Sequence, residues 1–121
     1  MTDYPRLLAA LAEGQVKFIV VGGAAAIAHG SARLTFDLDV VYARDPENLR
    51  RLVTVLVPFH PYLRGAPAGL PFVWDERTLR NGLNFTLTTD LGDIDVLGEI
   101  VGGGGYEALL PSTTELEVHG L

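Results

Sequence analysis

The chain has 121 residues, 48% of them apolar, no cysteine, and fifteen acidic against nine basic side chains for a formal charge of −6. At about 150 residues per domain that length allows one domain over 1–121 with a real core. The missing cysteines exclude disulfides and thiolate metal sites, so a metal must be held by oxygen or by the three histidines, and a reducing cytoplasm is the expected compartment.

The opening MTDYPRLLAALAEG lacks the basic start and apolar stretch of a signal peptide and is not expected to be a targeting segment. Within it, Leu7, Leu8 and Leu11 at helical spacing, Pro5 in the first turn and Gly14 as a stop predict an amphipathic helix. KFIVVGG predicts a buried strand ending at the pair Gly22 and Gly23, and AAAIAHG a short, close-packed helix ending at Gly30. The longest apolar run, Phe18 to Ala28, has 11 residues, short of the roughly 20 that cross a bilayer. The protein is expected to be soluble, with no membrane partner.

FDLDVVYA predicts a second strand, and DPENLRRLVTVLV a helix with Asp45 as N-cap, Pro46 in its first turn, and Leu49, Leu52, Val53 and Leu56 on one face. The segment 58–71 holds four prolines and two glycines and predicts an irregular surface loop of low order. NFTLTTDLGDIDVLG predicts a hairpin of strands Leu83 to Thr88 and Asp93 to Leu97 about a turn at Asp90 to Gly92. A glycine run at 102–105 precedes a short helix around Tyr106 to Leu110 and a strand near Leu116 to Val118. The chain stops soon afterwards, so a further C-terminal helical part is expected to be absent or truncated. The class is α/β (α+β), a small mixed β-sheet flanked by helices.

Two acids stand inside the second strand. Side chains two apart on a strand share a face, so Asp37 and Asp39 lie side by side while Leu38 and Val40 pack inward. Carboxylates within about 6 Å raise a pKa or demand a cation. With oxygen ligands alone, that cation is magnesium or manganese, which uses one or two carboxylates plus substrate phosphates. GDIDVLG offers a third ligand, Asp95, between Ile94 and Val96, whereas Asp93 beside Gly92 reads as a turn residue. Three carboxylates from adjacent strands suffice for two metal ions roughly 4 Å apart. Gly22 and Gly23, between strand and helix, let backbone amides approach a phosphate. They match neither GxGxxG nor a Walker loop.

Val21-Gly22-Gly23, thirteen intervening residues, Asp37-Leu38-Asp39-Val40 and later Ile94-Asp95-Val96 together resemble the three-part signature of the DNA polymerase β-like nucleotidyltransferase superfamily. HGSARLTFDLDVV is also similar to small bacterial nucleotidyltransferases linked to abortive-infection and toxin–antitoxin systems. The likeness covers roughly residues 16–118. It implies a nucleotidyltransferase-like fold, a nucleoside triphosphate such as ATP held at the glycine turn, and two Mg2+ (or Mn2+) ions on Asp37, Asp39 and Asp95 that drive transfer of NMP to an acceptor. The acceptor classes it leaves open are a protein hydroxyl, a tRNA end and a small molecule. The second glycine stands where many members carry serine.

Arg33 and Thr35 precede the acids and are candidates for phosphate contact, Arg being the better bidentate partner. His29 reads as a helix end rather than a ligand, and Trp74 and Tyr62 as core rather than base-stacking residues. Two rival readings remain. One is a catalytically inactive relative that binds a partner protein, the other a metal-dependent phosphohydrolase.

Overall fold

The structure is a computed structural model that describes residues 3–21, 38–100 and 104–110. Helix α1 spans Tyr4–Glu13, with Asp3 as N-cap accepting a hydrogen bond from the Arg6 amide at 3.2 Å. Its Leu7 and Leu11 are buried. Strand β1, Phe18–Val21, follows, then β2, Leu38–Tyr42, and helix α2, Pro46–Leu56. Asp45 caps α2 by accepting from the Asn48 amide, and Leu49, Leu52 and Leu56 form its buried stripe. A Cβ on Gly14 would lie 2.0 Å from Val55 Cγ2, so the end of α1 approaches α2 as closely as only glycine allows.

The expected loop is more ordered than its prolines suggest. A 3-10 turn covers Val57–Phe59, and Tyr62–Leu63 forms strand β3. Pro58 lies inside the 3-10 turn, but the prolines flank Tyr62 and Leu63 rather than interrupt them, so that backbone is free to pair at the sheet edge. Beyond it the Tyr62 hydroxyl donates to the Pro67 carbonyl and accepts from the Leu70 amide, tying the rest of the segment down. Helix α3, Glu76–Asn81, has no counterpart in the sequence reading. It is a six-residue element with one buried side chain, Leu79, and is capped by Asp75 through the Thr78 amide.

The hairpin follows the sequence expectation within a residue: β4 is Asn84–Thr89 and β5 is Gly92–Leu97. Thr89 pairs with Gly92, leaving Asp90 and Leu91 as the two-residue turn, and Gly92 takes φ 111°. Glu99–Ile100 (β6) pairs with Gly104–Gly105 (β7), and Tyr106–Leu109 forms α4. The helix expected over AAAIAHG and the strand near Leu116 to Val118 lie outside the described residues.

Five strands make one mixed sheet in the order β1-β2-β5-β4-β3, with β2 and β5 parallel and every other neighbouring pair antiparallel. One face carries Phe18, Val20, Leu38, Val40, Leu87, Ile94 and Val96 against leucines of α1, α2 and α3. Each leucine so buried contributes roughly 1.5–3 kcal/mol. On the opposite face, the apolar cluster of Ile19, Val41, Ala43 and Tyr106 gives way along the strands to acids. Among the described residues, no helix is long and apolar enough to cross a membrane.

Among the described residues, Asn48 on α2 is the buried polar residue of the core, and it binds the chain where it enters β1 and leaves β2. Its Oδ1 accepts from the Lys17 amide at 2.7 Å, and its Nδ2 donates to the carbonyls of Lys17 and Ala43 at 3.1 and 2.8 Å. Nearby, the Tyr42 hydroxyl donates to the Leu83 carbonyl at 2.8 Å and accepts from Arg44. Burial pushes the Tyr42 phenol above its usual pKa, against a smaller opposing effect of the Arg44 cation, and burial together with Glu107 and Asp45 does the same to Tyr106. A folded-state pKa raised in this way holds its stability below the unfolded value, about 10, and loses it as pH climbs through the folded value. Urea midpoints should therefore fall above pH 10, and Tyr42→Phe should make that fall shallower.

Candidate metal and nucleotide site

The alternation in DLDVV and DIDVL sets the site. Leu38 and Ile94 are Cα partners across the parallel β2–β5 pair and face the helices, so the next pair, Asp39 and Asp95, faces the other way. Neighbouring strands lie about 4.8 Å apart, which puts these two acids side by side. Asp39 is also the partner of Val21 on β1, where that strand ends. The chain therefore leaves for residues 22–37 beside Asp39. Val41 and Leu97, one register step of two further on, belong to the apolar cluster. The face is thus divided into an apolar half under α4 and a polar half holding Asp39, Asp93 and Asp95.

Asp93 is not merely a turn residue, as its place after Gly92 suggests. It lies in β5 opposite Thr88, two residues from Asp95 and on the same face, with Thr86 opposite Asp95. Both acids meet a residue the sequence reading passed over. Arg64 Nη2 lies 2.7 Å from Asp95 Oδ1, and its Nε lies 3.3 Å from Asp93 Oδ2. Nη2 also donates to the Leu87 carbonyl at 2.7 Å. Backbone geometry delivers this guanidinium. The Arg64 amide donates to the Thr86 carbonyl, extending the β3–β4 ladder by one residue, and a turn from Leu63 to Ala66 places Gly65 third at φ 78°. That position needs a positive φ and hence glycine. The signal in the sequence was Tyr62-Leu63-Arg64, a strand-compatible triplet hidden among prolines.

Of the expected site residues, Asp39 and Asp95 are brought together. Gly22, Gly23, Arg33, Thr35 and Asp37 lie outside the described residues. Among the described residues no group of three or more acids and histidines is arranged to hold a metal ion. Two neighbouring carboxylates still suit magnesium or manganese, which take one or two from the protein and fill their octahedron with water and phosphate oxygens. Arg64 lies against two acids of this face, Asp93 and Asp95, and Asp39 is the cross-strand neighbour of Asp95. Trp74 packs edge-on against Phe85, with ring centroids 6.4 Å apart, and is core, as its sequence context suggested.

Compared with family models, with curated proteins and with solved structures, the chain matches none.

Proposed function

We propose that the protein is a metal-dependent nucleotidyltransferase that moves NMP from a nucleoside triphosphate to an acceptor hydroxyl. The observation that supports this most is the pairing of Asp39 with Asp95 across the parallel strands, on the face turned away from the helical core and next to the end of β1. A carboxylate pair of this kind has no packing purpose. Like charges opposite one another destabilise a sheet, a cost that the Arg64 guanidinium on Asp95 offsets in this structure and that a metal ion shared by the two acids would offset when bound.

In this reading Asp39 and Asp95 hold Mg2+ or Mn2+ together with Asp37. When bound, the metal supplies Lewis-acid activation of the attacking hydroxyl and charge neutralisation of the departing pyrophosphate. The backbone amides of Gly22 and Gly23 orient the triphosphate, Arg33 and Thr35 contact it, and Asp95 receives the acceptor's proton. The acceptor oxygen bonds to the α-phosphorus in line as the α–β phosphoanhydride breaks. Positioning and preorganised charge carry most of the acceleration in such a step. The acceptor is a protein hydroxyl, a tRNA end or a small molecule, and a setting in toxin–antitoxin or abortive-infection systems accords with the motif resemblance.

Arg64 favours a second reading. A guanidinium already on Asp95 suits an inactive relative that keeps the scaffold and binds a partner protein. Incubation with α-labelled NTPs, magnesium and cell extract separates the two. The transferase moves label to an acceptor and releases pyrophosphate, and Asp95→Asn abolishes both. A binding module leaves all label in nucleotide, which would defeat the enzymatic reading.

A further inference from the structure

The Arg64 contacts bear on how the acidic site handles a cation. The side chain is 24% exposed, as is that of Asp95, so the ion pair is largely withdrawn from water and weakly screened. The guanidinium is firmly held: the Thr86 and Leu87 carbonyls and the Gly65 turn fix both ends of the residue. A divalent cation that used Asp95 as a ligand would therefore have to compete with this guanidinium for Oδ1.

We propose that Arg64 is the resident counter-ion of the site, that a divalent cation binds by taking Asp95 from it, and that Arg64 thereby sets the metal affinity. This rests on the metal-binding reading given above. The consequence is a threshold: the ion is held weakly by the protein alone and more firmly when triphosphate oxygens complete its coordination, so Arg64 discourages metal loading without nucleotide. Asp93 then serves as a positioning residue, since it keeps the Nε edge of the guanidinium on β5 while Asp95 is released.

The test is Mn2+ binding without nucleotide, followed by the spin resonance signal of the free ion, in the wild-type chain, Arg64→Gln and Asp39→Asn. A unit charge within about 4–6 Å changes a carboxylate's affinity for a proton by roughly 10- to 1000-fold, and Mn2+ competes with the guanidinium in the same manner. Arg64→Gln should bind Mn2+ at least about tenfold more tightly than the wild type, and Asp39→Asn should lose binding. Tight binding by Arg64→Gln beside none in the wild type would also support the proposal. Equal or weaker binding by Arg64→Gln, with binding by the wild type, overturns the role of Arg64 and leaves the metal site standing. No binding by any of the three overturns both. If Arg64→Gln fails to fold, Arg64→Lys, which keeps a charged donor but not the guanidinium fork, takes its place with a thermal melt, and tighter Mn2+ binding than the wild type is again the expected result.

Discussion

Asp37→Ala combined with Asp39→Ala is expected to weaken magnesium-dependent NTP binding by at least about a hundredfold in a calorimetric titration, while the thermal melt stays within a few degrees of the wild type. Loss of an outer-shell partner alone typically costs 10- to 100-fold in metal affinity, and these substitutions remove ligands themselves. The fold should tolerate them because Asp39 faces away from the leucine core. Its neighbours Leu38 and Val40 keep their contacts, and its β1 and β5 partners, Val21 and Asp95, stay paired through the backbone. Removing a charge beside Asp95 also relieves repulsion. Asp39→Asn isolates charge from shape, since it keeps the side-chain volume and one acceptor oxygen. An unchanged titration in the double variant would rule out NTP binding through metal at these acids.

Period-two alternation made half of this site legible. In DLDVV and DIDVL, Asp39 and Asp95 each sit between residues that must face a core, so their face assignment follows from sequence alone. That Asp39 stands opposite Asp95 does not. The register of a parallel pair is set by contacts across 56 positions of chain, here Leu38 with Ile94 and Val40 with Val96. Arg64 was hidden for a related reason. Its partners Asp93 and Asp95 are some thirty positions away, and nothing local distinguishes it from a solvated loop arginine until β3 is known to pair with β4. Proline content suggested an irregular segment, but proline restricts its own position and the one before it, not every residue between two prolines. The helix Glu76–Asn81 was missed because six residues with one buried leucine give no periodicity to count. The capped helices Tyr4–Glu13 and Pro46–Leu56, with full stripes, were plain in the sequence.

Asn48→Ala should be the most damaging single polar-to-alanine change, costing about 3 kcal/mol in urea unfolding at constant m. Its side chain makes three hydrogen bonds, to the Lys17 amide and to the carbonyls of Lys17 and Ala43. Each is worth about 0.5–1.5 kcal/mol net, and a buried group left unpaired costs about 1–3 kcal/mol. The Lys17 carbonyl still accepts from the Ala43 amide at 3.2 Å, so the main burden falls on the Lys17 amide and the Ala43 carbonyl. Asn48→Asp has nearly the same shape and should be at least as harmful at neutral pH. It still accepts from the Lys17 amide but turns two donors into lone pairs facing carbonyls, inside a site that excludes water. Burial raises the introduced carboxyl above its unfolded value of about 3.9. Its protonated form is the one the fold accepts, so stability relative to the wild type is best below that value and is lost as pH rises through the folded pKa. Alanine shows no such dependence, which separates a missing donor from a buried charge. Lys17 precedes β1 and Ala43 follows β2, at the end of the sheet away from Asp39, so this clamp and the acids share strands but no side-chain contact. Asn48→Ala should therefore lower the urea midpoint and leave Mn2+ affinity per folded molecule unchanged, because the register that sets Asp39 against Asp95 is fixed by the core pairs Leu38 with Ile94 and Val40 with Val96 and not by the clamp.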